Sequence, residues 1–371
     1  MKFATTQLRE GLEQVKGIVP TRTTLPILGG ILFTCEPENE ENGDILLTAT
    51  DLTMMVGTTI HGEIDEGGKV VIPADKLYET VKAMGNREIE VSLNPKNMTV
   101  TLQADGMKAN IKCFDPADYP EPPQVKPVVT FTTDSQAFAA LLERVAFSAA
   151  VKDDRPALKS VCFRLKGKTL ELAGADGFRL ASLQAFGEIK GKDADYLVPL
   201  DAVKEIIALA KSRKEQATVN LSEAVIQVLW DGAELAATLL SDAKFPDFTQ
   251  VIPNPFPENQ VTVDRTDLVR AVNMANVFSQ DGHNIVKFTV ADKSLTVSGM
   301  GDDGAGESEM PAQTSGEHLV FALNGSFVKD YLGLVKDETV TFALNTPSSP
   351  VCLRDGDENW QHIVMPLHIG N

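Results

Sequence analysis

The chain has 371 residues, of which 43% are hydrophobic and 23% are charged, and its formal net charge is −18. This composition is typical of a folded globular protein and excludes a disordered chain. No apolar run approaches the roughly 18 residues that a membrane span requires, and the polar start, with Arg9 and Glu10, predicts no signal peptide and a cytoplasmic location. The acidic balance argues only weakly against a nucleic-acid partner, because screening over about 8 Å lets a basic face coexist with an acidic one.

The sequence repeats itself three times. Two helix-like apolar stretches and one Asp-Gly pair recur in the same order at intervals of 124 to 130 residues. The matching positions are Leu8, Phe138 and Leu268 in the first stretch, Leu77, Val203 and Phe327 in the second, and Asp105-Gly106, Asp231-Gly232 and Asp355-Gly356 in the pairs. Self-similarity at a long, fixed interval indicates repeated domains. We predict three similar domains, at residues 1–121, 129–250 and 260–371.

The elements of a repeat are clearest in the middle copy. Apolar residues from Phe138 to Ala149 follow the spacing of an amphipathic helix, and a second such helix begins near Pro199. After it, the strand-like runs Val219–Trp230 and Leu235–Leu240 flank an Asp-Gly pair, which predicts a hairpin. The predicted order of elements in each copy is therefore helix, strands, helix, strands. The predicted fold class is α+β, with two helices packed on antiparallel sheet in each domain.

Prolines and cysteines carry no predicted chemistry. Two proline-rich stretches, 116–127 and 246–257, close the first two copies and are predicted to be linkers. The four cysteines stand singly in strand-like stretches, at Cys35, Cys113, Cys162 and Cys352. Their spacing fits neither a disulfide framework nor a zinc site, so we predict small buried apolar side chains, no metal and no cofactor.

Five motifs, in this order along the whole chain, resemble those of a known family. They are Thr24-Leu25-Pro26-Ile27-Leu28-Gly29, Ala49-Thr50-Asp51-Leu52, Ala175-Asp176-Gly177-Phe178-Arg179-Leu180, Phe245-Pro246-Asp247-Phe248 and Val364-Met365-Pro366-Leu367. Together they resemble the bacterial sliding clamps, the beta processivity subunits of DNA polymerase III. The resemblance implies the DNA clamp fold and a head-to-tail homodimer that forms a closed ring around double-stranded DNA of any sequence.

The resemblance also implies activity and partners. A sliding clamp has no catalytic activity and needs no cofactor; it tethers the replicative polymerase for processive synthesis. The implied partners are the DNA polymerase III alpha subunit, the clamp loader and other proteins with a clamp-binding motif, with no membrane involved. Physically, a closed ring holds DNA by topology and needs only weak, sequence-independent phosphate contacts.

Cations near the hole are the predicted DNA contacts. The resemblance implies this role for Arg22, and we extend it to Lys152, Arg155, Lys204 and Lys211. A second set of helix or helix-end cations that would face the hole comprises Lys82, Arg87, Arg144, Arg213 and Lys336. The alternative for each cation is a solvated side chain or a helix-dipole partner.

A groove for partner peptides is implied between the second and third domains. Its positions in this sequence are Leu158, Ala175, Gly177, Phe178, Arg179, Leu180, Pro246, Val251, Ile363, Met365, Pro366 and Leu367. The alternative for these apolar residues is ordinary core packing. This chain departs from the more common pattern at Ala175, Phe178, Gln250 and His368, and these departures predict a more apolar and less basic groove.

The dimer contact is implied to join the first domain to the third domain of the partner chain. Ile111 would pack against Val277 and Phe278 of the partner chain, and Lys76 would face an acidic cluster. That cluster comprises Asp302, Asp303 and Glu307. Because each chain carries both complementary ends, a head-to-tail contact can close at two copies.

Two other functions are weighed against a clamp. An enzyme would use Asp51, Asp176 and Asp302, which recur at similar positions in the three copies. One carboxylate per domain does not give the separation of roughly 5 to 10 Å that paired-carboxylate chemistry needs, so we interpret them as turn residues. The second alternative is a structural or protein-interaction ring that does not encircle DNA, which would suit the acidic charge.

Overall fold

A computed structural model describes residues 1–37, 43–186, 189, 191–279 and 284–368. Within these residues each repeat has one strand, a helix, four strands, a second helix and three strands. The first repeat comprises β1 (Lys2–Ala4), α1 (Thr5–Lys16), β2 (Gly30–Pro37), β3 (Gly43–Thr50), β4 (Met54–Gly62), β5 (Gly68–Pro73), α2 (Ala74–Met84), β6 (Glu88–Asn94), β7 (Thr99–Ala104) and β8 (Met107–Lys112).

The second and third repeats follow the same order. The second comprises β9 (Val129–Asp134), α3 (Ser135–Ala146), β10 (Ser160–Lys166), β11 (Thr169–Ala175), β12 (Arg179–Phe186), β13 (Ala194–Pro199), α4 (Leu200–Lys211), β14 (Gln216–Leu221), β15 (Val225–Trp230) and β16 (Ala233–Thr238). The third comprises β17 (Asn259–Asp264), α5 (Arg265–Phe278), β18 (Ile285–Ala291), β19 (Ser294–Gly301), β20 (Gly304–Ser315), β21 (Val320–Asn324), α6 (Gly325–Leu332), β22 (Thr339–Leu344), β23 (Val351–Arg354) and β24 (Trp360–Val364). The α+β class with antiparallel sheet is confirmed.

The chain separates into two compact units, and the middle repeat is divided between them. The first unit is Met1–Ser135 with Leu209–Leu239. It holds a four-stranded sheet of order β1-β6-β7-β8 and an eight-stranded sheet of order β5-β2-β3-β4-β16-β15-β14-β9. The second unit is Gln136–Ala208 with Leu240–Asn371, and its sheet has the order β13-β10-β11-β12-β24-β23-β22-β17-β20-β19-β18-β21. The predicted domain limits stay a prediction.

Amphipathic helices cover these sheets because their apolar residues recur every three or four positions. In α1 the buried face includes Leu8, Leu12 and Val15, and the helix packs on β3, β4 and α2. In α5 it includes Leu268 and Val272, and the helix packs on β19, β20 and α6. Each fully buried leucine or valine contributes about 1.5 to 3 kcal/mol.

Close approach of a helix to the sheet requires glycine in the second unit. A Cβ built at Gly174 would lie 2.3 Å from the carbonyl oxygen of Val145, which is in the last turn of α3. This backbone oxygen cannot move aside as a flexible side chain would. Gly174 therefore lets α3 lie directly on β11, just before the β11–β12 loop.

Two sequence predictions about strands are wrong in detail. The run Val219–Trp230 is two strands, β14 and β15, because Ser222 forms a turn in which its Oγ donates to the carbonyl of Val225. The pair Asp355-Gly356 does not form a two-residue hairpin. Five residues separate β23 from β24, and the Gly356 amide donates to the Asp337 carboxylate. The pairs Asp105-Gly106 and Asp231-Gly232 do occupy two-residue turns.

Strands from consecutive repeats pair with each other at two places. In the first unit β4 pairs with β16, and Met54 lies opposite Ala237. In the second unit β12 pairs with β24, and Arg179 lies opposite Val364. The equivalent strand of the first repeat, β8, is at the edge of its sheet. In the described part of the chain, Gly304–Ser308 of β20 pairs with β19 only. The edges of β8 and β20 that are equivalent to the paired edges between repeats are therefore both open.

Candidate binding pocket

A cavity of about 220 Å³ opens on the second unit, where the β11–β12 loop, the end of β24 and the segment after Lys244 come together. Its lining residues are Arg155, Leu158, Ala175, Gly177, Phe178, Arg179, Leu180, Phe245, Pro246, Asp247, Phe248, Val251, Ile363 and Met365. We call this cavity the pocket. Ten of the twelve positions named for the peptide groove line it. Pro366 and Leu367 do not, and the Leu367 amide donates instead to the carbonyl of Ala322 in β21.

The pocket has a buried apolar floor and an exposed apolar rim. Leu158, Leu180 and Ile363 are each less than 5% exposed. Leu180 and Ile363 belong to one core cluster with Phe245 and Phe248. On the rim the exposed fractions are 64% for Phe178, 40% for Val251 and 41% for Met365. Core packing accounts for the floor but not for the rim, since large apolar side chains that converge in the open mark a binding surface.

The β11–β12 loop is held by hydrogen bonds from its own aspartate. Asp176 Oδ1 accepts the amides of Phe178 and Arg179 at 2.9 and 3.0 Å. Gly177 has φ of +92°, a conformation in which a side chain would be strained. The carbonyl of Phe178 accepts the amide of Met365 at 2.9 Å. These contacts fix the Phe178 backbone while its ring remains exposed.

Both guanidinium groups of the lining are paired with carboxylates. Arg179 Nε lies 2.9 Å from Asp176 Oδ2, and its Nη1 lies 2.7 Å from Asp330 Oδ2 in α6. Arg155 binds Asp153 through Nε and Nη2, both at 2.9 Å. This hydrogen bonding lowers the pKa of the Asp153 carboxyl to about 2. Arg155, a predicted DNA contact, is thus a lining residue of the pocket that is already paired with a carboxylate.

Asp247 is itself a lining residue of the pocket, unlike the carboxylates that pair with Arg155 and Arg179. It accepts hydrogen bonds from the Thr249 hydroxyl at 2.7 Å and the Gln250 amide at 3.2 Å. These two hydrogen bonds, the first being the stronger effect, lower the pKa of Asp247. The sequence alone does not identify Asp247 and the neighbouring aromatics Phe245 and Phe248 as lining residues, although all three belong to the motif Phe245-Pro246-Asp247-Phe248.

A buried histidine supports the strands behind the pocket. His362, in β24, lies 3.1 Å through Nδ1 from the carbonyl oxygen of Leu180, and its ring stacks on Tyr331 at 5.4 Å between centroids. Burial, followed by the nearby charge of Arg179, lowers the pKa of His362 to about 3. The imidazole is therefore neutral at physiological pH.

The cations named as DNA contacts differ in their surroundings. Arg22, Lys152 and Lys211 are exposed, and Lys204 Nζ lies 3.4 Å from Asp201 on a side chain that is 54% exposed. Their role stays a prediction.

Three members of the second set are held by carboxylates in the same chain. The pairs are Arg144 with Asp357 at 2.6 Å, Arg213 with Glu215 at 3.1 Å and Arg87 with Asp105 at 3.4 Å. Arg144 and Arg213 are mostly buried. These ion pairs join the three cations to carboxylates of their own chain, and their position relative to a hole stays a prediction.

Residues named for the dimer contact lie at the two open strand edges. Ile111 is in β8 and Lys76 is exposed on α2, which packs against β8. At the other edge the Phe278 ring covers Gly304 and Gly306 of β20. The remaining members are exposed: Val277, Asp302, Asp303 and Glu307.

The recurring aspartates are turn residues. Asp51 Oδ1 accepts the amides of Thr53 and Met54, both at 2.8 Å, as Asp176 does in the second repeat. Asp302 is in the two-residue turn between β19 and β20. Among the described residues, no group of three or more His, Cys, Asp or Glu side chains could hold a metal ion. In the same part of the chain, no helix is both long and apolar enough to cross a membrane.

Three family models match the chain in succession. They are described as the N-terminal, central and C-terminal domains of the DNA polymerase III beta subunit, and they match residues 1–123, 132–247 and 249–368.

Individual relatives are similar over the full length. A "Beta sliding clamp" of Chlamydia muridarum is 27% identical, over 100% of this chain and 99% of the relative. The DNA polymerase III beta subunit of Thermotoga maritima has a solved structure with a TM-score of 0.90 and 26% identity, which covers 100% of this chain and 99% of that one. A DNA polymerase sliding clamp from Pseudomonas aeruginosa, solved with a ligand, has a TM-score of 0.92 at 23% identity, with coverage of 100% and 99%.

Proposed function

The chain belongs to the DNA polymerase III beta subunit family, the sliding clamps, and on this premise we propose that two copies close head to tail around duplex DNA in the bacterial cytoplasm. The ring tethers the replicative polymerase, the clamp loader and other proteins with a clamp-binding motif. Sliding clamps are non-catalytic processivity factors, so the proposed ring acts by encircling DNA and through weak contacts.

The two open strand edges carry this proposal. Within one chain, consecutive repeats are joined by the β4–β16 and β12–β24 pairings. Among the described strands, the equivalent edges stay open in the first and last repeats. A second copy can satisfy both edges with the same antiparallel pairing. An open edge favours association with another strand, and a head-to-tail contact that closes at two copies leaves neither of these two edges exposed.

Charge distribution supports an inner surface made of helices. The six helices in the described residues carry ten lysines and arginines against nine aspartates and glutamates, a net charge of +1. The whole chain has a net charge of −18, so the rest of it has −19. The helices are therefore nearly neutral, while the strands and loops are strongly acidic. A ring with helices inside would repel phosphates on its outer surface and bind them weakly within, which suits sliding.

The pocket is proposed to bind short peptides of the partners. Burial of two large apolar side chains contributes about 1.5 to 3 kcal/mol each, whereas a micromolar complex requires about 8 kcal/mol. Backbone hydrogen bonds or a second contact must supply the difference. Weak single contacts allow partners to exchange, and two pockets in one ring add avidity.

Retention on closed DNA tests the proposal. The chain is loaded on a nicked circular plasmid by the clamp loader of the same bacterium, and the complex is then separated by gel filtration. We expect it to remain on the circle and to be lost when one restriction cut makes the DNA linear. The alternative function, a protein-interaction ring that does not encircle DNA, would give equal retention on both DNAs and would falsify the proposal.

A further inference from the structure

The rim of the pocket requires large apolar groups in its occupant. Phe178, Val251 and Met365 are exposed around one opening, and Met365 can adapt its shape because its side chain is unbranched. The floor beneath them is apolar and buried. Two large apolar side chains of an extended peptide match this lining, and the inference that follows rests on the proposed peptide-binding role of the pocket.

The guanidinium groups at the pocket are unfavourably placed to attract an acidic peptide. Arg155 is in a bidentate pair with Asp153, and Arg179 contacts both Asp176 and Asp330. An incoming carboxylate would meet each guanidinium together with the carboxylate or carboxylates that already neutralise it. A paired cation attracts an anion far less than a lone cation does, because the two fields largely cancel beyond the pair.

Carboxylates outnumber the cations at this site. Asp247 of the lining and the three carboxylates that pair with the lining arginines, Asp153, Asp176 and Asp330, stand against two guanidinium groups, so this set has a formal charge of −2. Asp247 is held in its ionised form by hydrogen bonds from Thr249 and Gln250. Behind Phe248, Arg164 is likewise paired with Asp195 at 2.8 Å. This excess of carboxylates favours a cationic flank over an acidic one.

We propose that the pocket selects peptides whose two apolar anchor residues are flanked by lysine or arginine, and that it discriminates against acidic flanks. The apolar floor and rim supply affinity, and the four carboxylates supply the charge preference. Electrostatic complementarity of this kind determines which partner binds more than how tightly partners bind overall.

Three fluorescent peptides with one apolar core and different flanks test the preference by anisotropy. Their flanks are two lysines, two glutamines or two aspartates. At about 0.05 M salt we expect the lysine peptide to bind about five- to tenfold tighter than the aspartate peptide, with the glutamine peptide between them, since each charge pair near 7 Å in water changes affinity by about threefold. At 1 M salt, where the Debye length is about 3 Å, the difference should nearly vanish.

Matched variants separate the pocket from the charge of the whole chain. Asp247→Asn keeps an oxygen that accepts from Thr249 and removes one charge from the pocket lining, so the preference for lysine should fall by about threefold. Asp292→Asn, on the exposed β18–β19 turn, removes the same charge elsewhere and should leave the preference unchanged. Equal effects of the two variants, equal binding of the three peptides or tighter binding of the aspartate peptide would each overturn the inference. If none of the three binds, the proposed peptide-binding role itself fails.

Discussion

His362 has an unusual environment for a histidine, since it sits fully buried directly behind the strands of the pocket. Its ring is fully buried against Tyr331 and Phe147, and its Nδ1 donates to the carbonyl of Leu180. A protonated imidazole at this position would be a buried charge near Arg179. The folded chain therefore keeps His362 neutral down to a pKa of about 3.

This depressed pKa makes stability depend on pH. In the unfolded chain the pKa of a histidine is about 6.5, so between pH 6.5 and 3 only the unfolded state binds the proton. The stabilising effect is complete above pH 6.5 and decreases as the pH falls. From pH 7 to pH 5 we expect His362 to lower the free energy of unfolding by about 2 kcal/mol.

Thermal unfolding at the two pH values measures this effect. The fall in Tm between pH 7 and pH 5 should be smaller in His362→Gln than in the unmodified chain. His318→Gln, which changes an exposed histidine, is the matched control and should behave like the unmodified chain. The same pH dependence in all three proteins would contradict the assignment.

At the scale of elements, the internal pairings fix how two copies would join. Met107 of β8 and Ala233 of β16 are equivalent positions in their repeats, because each directly follows a two-residue turn. Met54 of β4 and Gly304 of β20 are equivalent in the same way, because each begins the second strand of its hairpin. If β8 of one chain pairs with β20 of the partner chain in the register that β16 and β4 have within one chain, Ile111 lies opposite Gly304 of the partner chain. Ile111 then meets the Phe278 ring that covers Gly304.

The same register places Lys108 opposite Glu307 of the partner chain, on the exposed face of the sheet. We expect Lys108→Glu and Glu307→Lys each to weaken the dimer, since like charges directly across two strands repel. At about 1 kcal/mol for each of the two contacts in a ring, the dimer Kd should rise by about 30-fold. Analytical ultracentrifugation of the single variants measures this rise.

The double variant, with both charges exchanged, is the decisive control for this register. It restores opposite charges at each contact and should recover most of the dimer stability. A double variant that dissociates as much as the two single variants combined would show that these residues are not neighbours. That result would remove the proposed register while leaving other contacts between the edges possible.

At the scale of the whole molecule, ring closure and partner binding should be separable. The pocket is built within one chain, whereas holding DNA requires two. In Phe278→Asp a carboxylate replaces the ring that would pack against Ile111, and burying this charge would strongly oppose closure. We expect light scattering to give the mass of one chain, 40.1 kDa, instead of twice that mass.

This variant should also lose retention on circular DNA and still bind the lysine-flanked peptide with unchanged affinity. Circular dichroism checks that it folds, and Val151→Asp, at another exposed apolar residue, is the control. A dimeric Phe278→Asp protein would remove Phe278 from the interface. A monomer that stayed on circles would show that retention is not topological.

Much of this protein was determined by local sequence pattern. The threefold repeat, the α+β class and the helix faces follow from apolar spacing, because burial of one face is what stabilises an amphipathic helix on a sheet. The family resemblance, rather than local pattern, implies the ten pocket positions that the structure brings around one cavity, and seven of them lie in motifs such as Ala175-Asp176-Gly177-Phe178-Arg179-Leu180. The turn role of Asp51 and Asp176 was also predicted, since it depends only on neighbouring amides.

Only the tertiary structure decided which charges are paired and which strand edges are open. Arg144 meets Asp357 across more than 200 residues, and Arg179 meets Asp330 across 151. No sequence spacing reveals such pairs, because long-range contacts depend on how the sheets bring distant strands together. For the same reason the sequence does not reveal that Arg155 lies against Gly177 at the pocket, and its DNA contact stays a prediction. Local periodicity determines what an element is, and packing determines what each of its side chains faces.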